Sequence, residues 1–424
     1  LGPFDATMIV MGGIIGSGIF INPYVVARQV GSGSLIMLAW AAGGAVALLG
    51  AFVYAELAAL RPEAGGQYAY LRDAYHPSVA FLYGWALLLV VQSGGMAAVA
   101  VTFARYAIEL TGVAMADWML AGLTLIVLTL INVTGVRSGS NTQTVLMLLK
   151  LGAIGALIVA GLLFAGRATP SAAPASATSL IGFFAALTPV MFAYGGWQTA
   201  SFIAAELRDP RRDLARGLIM GVTAVVAIYL AVNFVALRVL GSGGLAATTT
   251  PASTVMRTLF GEPGARLIAV GIAVSTLGFL AQGMLTAPRV YYAMAADGLF
   301  FRAVGKVHPV TRVPHIAIAL QGLVAVIIAV SGTYEQILAY VVATDFIFFG
   351  MTGAALFLFR RKLPPAEGFR TPGHPVTTLL FTMACWIVVA ATIARSPRDS
   401  VVGLAILLSG AIVYPMWNSR RART

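Results

Sequence analysis

Glycine spacing supplies the first chemistry in this chain. From Gly12 to Gly18 the sequence reads Gly-Gly-Ile-Ile-Gly-Ser-Gly, four glycines and a serine within seven residues. Each glycine costs a helix about 1 kcal/mol relative to alanine, so an apolar helix is expected to come apart here. A second interruption, Phe192-Ala-Tyr-Gly-Gly-Trp197, falls inside another apolar stretch. In hydrocarbon each unmade backbone hydrogen bond costs several kcal/mol. An opened helix persists there only where a ligand, an ion or cavity water satisfies its free N–H and C=O groups. The N-terminus of a half-helix offers N–H donors and a positive dipole end, which suit a carboxylate. The C-terminus of a half-helix offers carbonyls, which suit an ammonium. A zwitterion with both groups on one carbon answers both. The competing reading is a helix-packing face of small residues, for which Gly12 and Gly16 have the spacing.

Ionisable side chains inside apolar stretches are the second signal, because their cost there makes them functional candidates. Lys150 lies about seven residues from the inner end of its stretch, about 10 Å deep at 1.5 Å per residue. A lysine stem can snorkel most of that distance, so a surface role competes with a buried one. A buried ammonium that can release its proton leaves a proton-coupled cycle open. Asp345 stands several residues from the outer end of its stretch and has no partner nameable from sequence. A water-lined vestibule and a proton relay are its two readings. Tyr229, Asn233 and Gln282 suit hydrogen bonds between helices, with Tyr229 within reach of the Lys150 region. Glu56 and Glu206, near inner helix ends, are expected to pair with arginines.

Other chemistries lack their residues. Cys385 is the single cysteine and His76, His308, His315 and His374 are the four histidines, all four near the ends of apolar stretches. No internal disulfide, metal-ligand spacing or nucleophile–base set is present. No phosphate-binding glycine loop ending in lysine is present either, which argues against ATP-driven pumping. No catalysis, metal or cofactor is expected.

The elements that must position these groups are membrane spans. Of 424 residues, 59% are hydrophobic and only 10% charged, against about 25% charged in a soluble domain. Apolar runs near the roughly 20-residue length that crosses a bilayer lie at about 5–27, 34–58, 79–108, 118–136, 143–166, 179–205, 215–239, 266–295, 315–331, 336–359, 376–394 and 400–418. The expected fold is an all-α membrane protein of 12 transmembrane helices, discontinuous in the first and sixth. With the N-terminus inside, about eighteen basic residues fall in inner loops, among them Arg137, Arg208, Arg312, Arg360 and Arg420, and about eight outside. That bias puts both termini in the cytoplasm. It also accounts for the net charge of +12 without a nucleic-acid partner. The first span runs through its glycine break into the body of the protein, unlike a cleaved leader. The outer segment 251–260 has the composition of a short surface helix. Interruptions at matched places in spans one and six point to a transport site at the interface of two repeats. The division is 1–166 for the first repeat, 179–359 for the second and 376–418 for two further helices, all in one transmembrane domain.

Several motifs stand in order along nearly the whole chain: Gly13-Ile-Ile-Gly-Ser-Gly-Ile-Phe20, Tyr54-Ala-Glu-Leu57 with Pro62-Glu-Ala-Gly-Gly-Gln-Tyr-Ala-Tyr70, Phe192-Ala-Tyr-Gly-Gly-Trp-Gln198 with Glu206-Leu-Arg-Asp-Pro210, and Pro288-Arg-Val-Tyr-Tyr-Ala-Met-Ala-Ala-Asp-Gly298. Through them the chain resembles the amino acid–polyamine–organocation (APC) family, in its L-amino-acid-transporter-like branch. The resemblance implies a five-plus-five inverted-repeat, LeuT-like fold. It implies that Ile14, Ile15, Gly16, Ser17, Gly18, Phe192, Ala193, Gly195 and Gln198 form the substrate site. The N–H groups of Ser17 and Gly18, with the Ser17 hydroxyl, would hold the carboxylate. The carbonyls of Ile14, Phe192 and Gly195 would take the α-ammonium, and the Phe192 ring would be an outer gate. Lys150 matches a fifth-helix lysine that stands where related transporters bind sodium, with Tyr229 nearby. Two departures are Gln198, where the branch often has asparagine, and Pro288, where relatives often have serine. The implied activity is sodium-independent transport of neutral L-amino acids by exchange or proton coupling, at the plasma (inner) membrane. Neutral cargo is favoured by the lack of an arginine or acid at a motif position of the pocket. The alternative is a carrier of cationic amino acids or polyamines, with Asp345 facing the cation. A channel would call for charge rings or a filter sequence instead. The expected partners are a small amino acid and the lipid bilayer; some eukaryotic members of the branch have a single-span partner subunit, and nothing in this sequence requires one.

Overall fold

The computed structural model describes residues 2–61, 65–134, 140–167, 180–309, 313–364 and 368–421. Glu63, Arg137, Arg312 and Arg423 lie outside the described residues, as do the side chains of Arg167, Glu206, Arg420 and Arg421. Among the described residues the fold is all-helical, with no strand.

The first apolar run is two helices, α1 (Pro3–Ile14) and α2 (Gly18–Val30), bent by 44° at Ile15–Ser17. α3 (Gly33–Leu60) follows as one uninterrupted helix, then the short α4 (Gln67–Ala74). α5 (Pro77–Ala86) passes through a π-turn, Leu87–Val91, into α6 (Gln92–Thr111). α7 (Asp117–Val133) and α8 (Ser140–Phe164) complete the first half.

α9 (Leu180–Tyr194) stops at Gly195-Gly196, and the chain continues as a 3-10 helix, Trp197–Glu206. Gly196 has φ +108, and a Cβ there would sit 2.1 Å from the Gly13 carbonyl oxygen. Only glycine meets both conditions. α10 (Pro210–Ala247) starts with Pro210 at its first position and the Asp209 carboxylate accepting from the Arg212 N–H, a conventional start signal. α11 (Pro251–Thr286) kinks at Gly261, φ +68, so that 251–260 is a helical segment set apart from the long helix after it. α12 (Pro288–Ala296), α13 (His315–Ser331), α14 (Tyr334–Lys362), α15 (Val376–Arg395) and α16 (Pro397–Arg421) complete the chain.

Among the described residues, each apolar run read from the sequence lies mostly on helix, with the first interrupted at Ile15–Ser17 and the sixth at Gly195-Gly196. Among the described residues, eight helices are long and apolar enough to cross a membrane, nine if α1 and α2 are taken as one broken span. α7, α9 and α13 are shorter, at 17, 15 and 17 residues. Outward faces carry large apolar side chains: Leu163 is 70% exposed, Leu267 73% and Ile412 74%. Such a surface suits lipid and would aggregate in water.

The interior follows small residues. α10 packs on both α1 and α3, α2 on α9, and α11 on α6 and α8. On α10, a Cβ at Gly217 would meet Ala6, and one at Gly221 would meet Val10, each within 2.7 Å. This Gly-x-x-x-Gly pair lets α1 and α10 approach backbone to backbone. Gly12 and Gly16 do not work in that way: a Cβ at Gly12 has 3.7 Å of room, and one at Gly16 meets only the Phe279 ring.

Candidate binding site

The two interruptions lie against one another. A Cβ on Gly13 would be 2.9 Å from the Gly196 carbonyl oxygen, and one on Gly18 only 2.5 Å from Ala193 Cα. The glycines therefore permit the breaks to touch as well as weakening each helix.

At the first break the backbone ladder is open. The Ile15 N–H still bonds to Met11 and the Gly16 N–H turns back to the Ile14 carbonyl at 2.7 Å, while the Phe20 and Ile21 N–H groups bond to Ser17. Among the described residues the N–H groups of Ser17 and Gly18 have no acceptor. The Ser17 hydroxyl is buried and, among the described residues, makes no well-formed hydrogen bond. At the second break the Gly195 N–H bonds to Met191 at 2.9 Å, and the Gly196 N–H is taken by the Gln198 side-chain oxygen at 3.0 Å. Gln198 thus caps the interruption on which it sits.

Two side chains hold the first break in place. Lys150 is 5% exposed and donates to the Ile15 carbonyl. Its ammonium also lies 5.7 Å from the centre of the Phe279 ring. The Tyr229 hydroxyl donates to the neighbouring Ile14 carbonyl at 3.1 Å. Three elements, α8, α10 and the α1–α2 junction, are tied at two consecutive carbonyls. The Ile14 oxygen already accepts from Tyr229 and Gly16, so both its lone pairs are engaged. Among the described residues the Gly195 carbonyl has no donor, and the Phe192 carbonyl receives only a second, longer contact from the Gly195 N–H at 3.3 Å.

A cavity of about 110 Å³ opens beside both breaks. One water needs about 10–15 Å³ on this measure, so the space admits a small organic solute. Gly13, Ile14, Gly16, Ser17 and Gly18 line it from the first break. Phe192, Gly195, Gly196, Gln198 and Thr199 line it from the second. Ile15 and Ala193 do not reach it; Ile15 turns its carbonyl to Lys150, and Ala193 backs Gly18. Lys150 and Tyr229 stand behind the first break, outside the lining.

Of the remaining walls, the sequence marks only Asp345 as a cavity residue, the vestibule acid; the others carry no such signal. Val91, Gln92, Gly95 and Val99 come from the π-turn and the start of α6. π-turns are frequent at functional sites because they rotate the residues that follow. Phe279, Gln282, Gly283 and Thr286 come from α11. Gln282 was expected to bond another helix; it lines the cavity, and its side chain has no hydrogen-bond partner among the described residues. From α14 come Val341, Val342, Asp345 and Phe346. Asp345 is 8% exposed and its Oδ1 has no hydrogen-bond partner among the described residues.

Polar ties close the structure at its two ends. At the N-terminal end of α14, Tyr24 donates to Glu335, Arg105 pairs with Asp117 at 2.9 Å, and Tyr334 donates to Asn22. Asn22 in turn donates to the carbonyl of Pro189 inside α9. At the other end of α14 Glu56 takes two bonds from Arg360, at 2.7 and 2.8 Å, and one from the Thr371 N–H at 2.7 Å.

Comparison with known proteins adds to this geometry. The amino acid permease family model matches residues 1–415. The chain is 30% identical to the serine/threonine exchanger SteT of Bacillus subtilis (strain 168), over 100% of this chain and 97% of the relative. It is 26% identical to the human b(0,+)-type amino acid transporter 1, over 98% and 87%. To the human large neutral amino acids transporter small subunit 2 it is 28% identical, over 98% and 79%.

Proposed function

Because the chain belongs to the amino acid permease family, we propose that it is a sodium-independent secondary transporter of L-amino acids, working by alternating access as an exchanger or with protons. It is an integral membrane transporter rather than an enzyme. In this reading all twelve apolar runs cross the plasma (inner) membrane, with both termini in the cytoplasm. The first five spans repeat inverted as the next five, and the breaks in spans one and six meet at the repeat interface.

One observation carries the proposal: the unpaired N–H groups of Ser17 and Gly18 stand at a solute-sized cavity beside a second opened helix. These donors, with the Ser17 hydroxyl, hold the cargo carboxylate. The Gly195 and Phe192 carbonyls take the α-ammonium, while Ile14 is left to Tyr229. The Phe192 ring closes the site on its outer side. The Lys150 ammonium serves the Ile15 carbonyl in the place of a sodium ion. The lack of an arginine or acid at a motif position supports a neutral L-amino acid as the first reading of the cargo. Asp345 in the cavity wall favours the second reading, a cationic one.

Uptake into proteoliposomes tests this. Purified protein should accumulate labelled amino acid equally well in sodium and in N-methylglucamine buffer. Preloaded vesicles should take up more than empty ones for an exchanger, and an imposed pH gradient should drive uptake for a proton-coupled carrier. Uptake that required sodium would refute the role given to Lys150.

A further inference from the structure

We propose that Asp345 reads the side chain of the cargo, and that the cavity is built for an L-amino acid with a cationic side chain. This rests on the transport reading above and sharpens it. The backbone groups at the two breaks can grip only what all α-amino acids share, so discrimination must come from the walls. Among the described residues Asp345 is the one ionisable side chain in that lining. It stands eleven residues after Tyr334 and seventeen before Lys362 on α14, about 16 Å and 25 Å from the helix ends at 1.5 Å per residue. Its single methylene cannot carry the carboxylate to either surface.

An ionised carboxylate taken from water is costly unless it meets a counter-charge or hydrogen bonds. Other carboxylates in the protein meet that requirement internally: Glu56 on Arg360 and the Thr371 N–H, Asp297 on Arg72 and Tyr68, Asp117 on Arg105. Asp345 has no ion pair among the described residues, and its Oδ1 is an orphaned acceptor. No lysine, arginine or histidine among the described residues lines the cavity. Lys150 is spent on the Ile15 carbonyl behind the first break. The missing counter-charge therefore arrives with the cargo. Val91, Val99, Val341 and Val342 offer an apolar track for methylenes, and the unengaged amides of Gln92 and Gln282 offer further acceptors for an ammonium or guanidinium. An aliphatic stem ending in a cation fits such a wall.

Competition in proteoliposomes tests the assignment. Lysine, arginine and ornithine should outcompete serine, alanine and leucine for uptake by the parent protein. Asp345→Asn should lower uptake of basic relative to neutral amino acids by about thirtyfold, the loss expected when one partner of a buried charge pair is truncated at about 2 kcal/mol. Asp345→Glu should keep the basic preference. Monodisperse gel filtration and a melting temperature close to the parent's show that each variant is folded. Should Asp345→Asn fail to fold, the parent's own preference and the Asp345→Glu result still decide. Neutral preference in the parent overturns the proposal. So does an unchanged ratio in Asp345→Asn, or a variant that loses only the response to a pH gradient, which would make Asp345 a proton site. Saturable transport of neutral cargo alone would leave the transport reading intact while removing this one. No saturable uptake of any amino acid would remove both.

Discussion

Ile14 and Ile15 present two consecutive carbonyls at the first break, and both are already engaged from behind, by Tyr229 and Lys150. What remains open toward the cavity is on the donor side, at Ser17 and Gly18. The site's polarity is therefore set by which backbone groups are left unused. Sequence flagged Lys150 and Tyr229 because ionisable and hydroxyl groups within spans are costly. It could not supply their acceptors, since these depend on how the chain turns between Met11 and Gly18. A Lys150→Met variant removes the cation and strands the Ile15 oxygen, at about 1–3 kcal/mol. Transport should fall about tenfold or more, with Lys150→Arg partly active. Tyr229→Phe removes a neutral hydrogen bond to a carbonyl that keeps the Gly16 N–H, so its effect should be about threefold. Initial uptake rates and ligand-induced shifts in melting temperature would measure both. Equal effects from the two variants would argue against a special role for the charge.

At the scale of elements, the two broken helices were legible because glycine density acts locally. The walls facing them were not. The run 79–108 is apolar throughout, and nothing in its composition marks a π-turn at Leu87–Val91 or the residues it turns inward. Gly95 shows what that wall does. It lines the cavity, and a Cβ there would meet nothing within 4 Å. Gly95→Leu should therefore fold normally and fill the space used by large side chains. Uptake of bulky cargo should drop about tenfold while glycine or alanine uptake is largely spared, a difference visible in competition curves. Gly18 is the opposite case, since its Cβ would press on Ala193 Cα at 2.5 Å. Gly18→Val should abolish binding of every amino acid in a protein that still elutes as one species. Wild-type affinity in that variant would rule out the carboxylate cradle.

For the molecule as a whole, hydrophobicity marked where the helices of the described residues lie, since an apolar run of that length has few other ways to satisfy its backbone. Which runs pair, and where charge crosses between them, was beyond local pattern. Glu56 was expected to meet an inner arginine, and it meets Arg360, 304 residues away, at the far end of α14. Its side chain is 2% exposed against 23% for Arg360, so the pair is buried on one side only. Together with the Thr371 N–H it binds the ends of α3 and α14 to the segment leading into α15. Glu56→Gln should leave Arg360 without its counter-charge and destabilise the fold by about 2 kcal/mol, below the 3–5 kcal/mol of a fully buried pair because Arg360 can still reach water. Adding Arg360→Leu should restore part of that loss, since removing both charges also removes the stranded one. Thermal melts of the two variants in one detergent would show it. Selectivity among amino acids should be unchanged in both, because neither residue lines the cavity. A double variant less stable than the single one would mean that Arg360 has a further partner in this network.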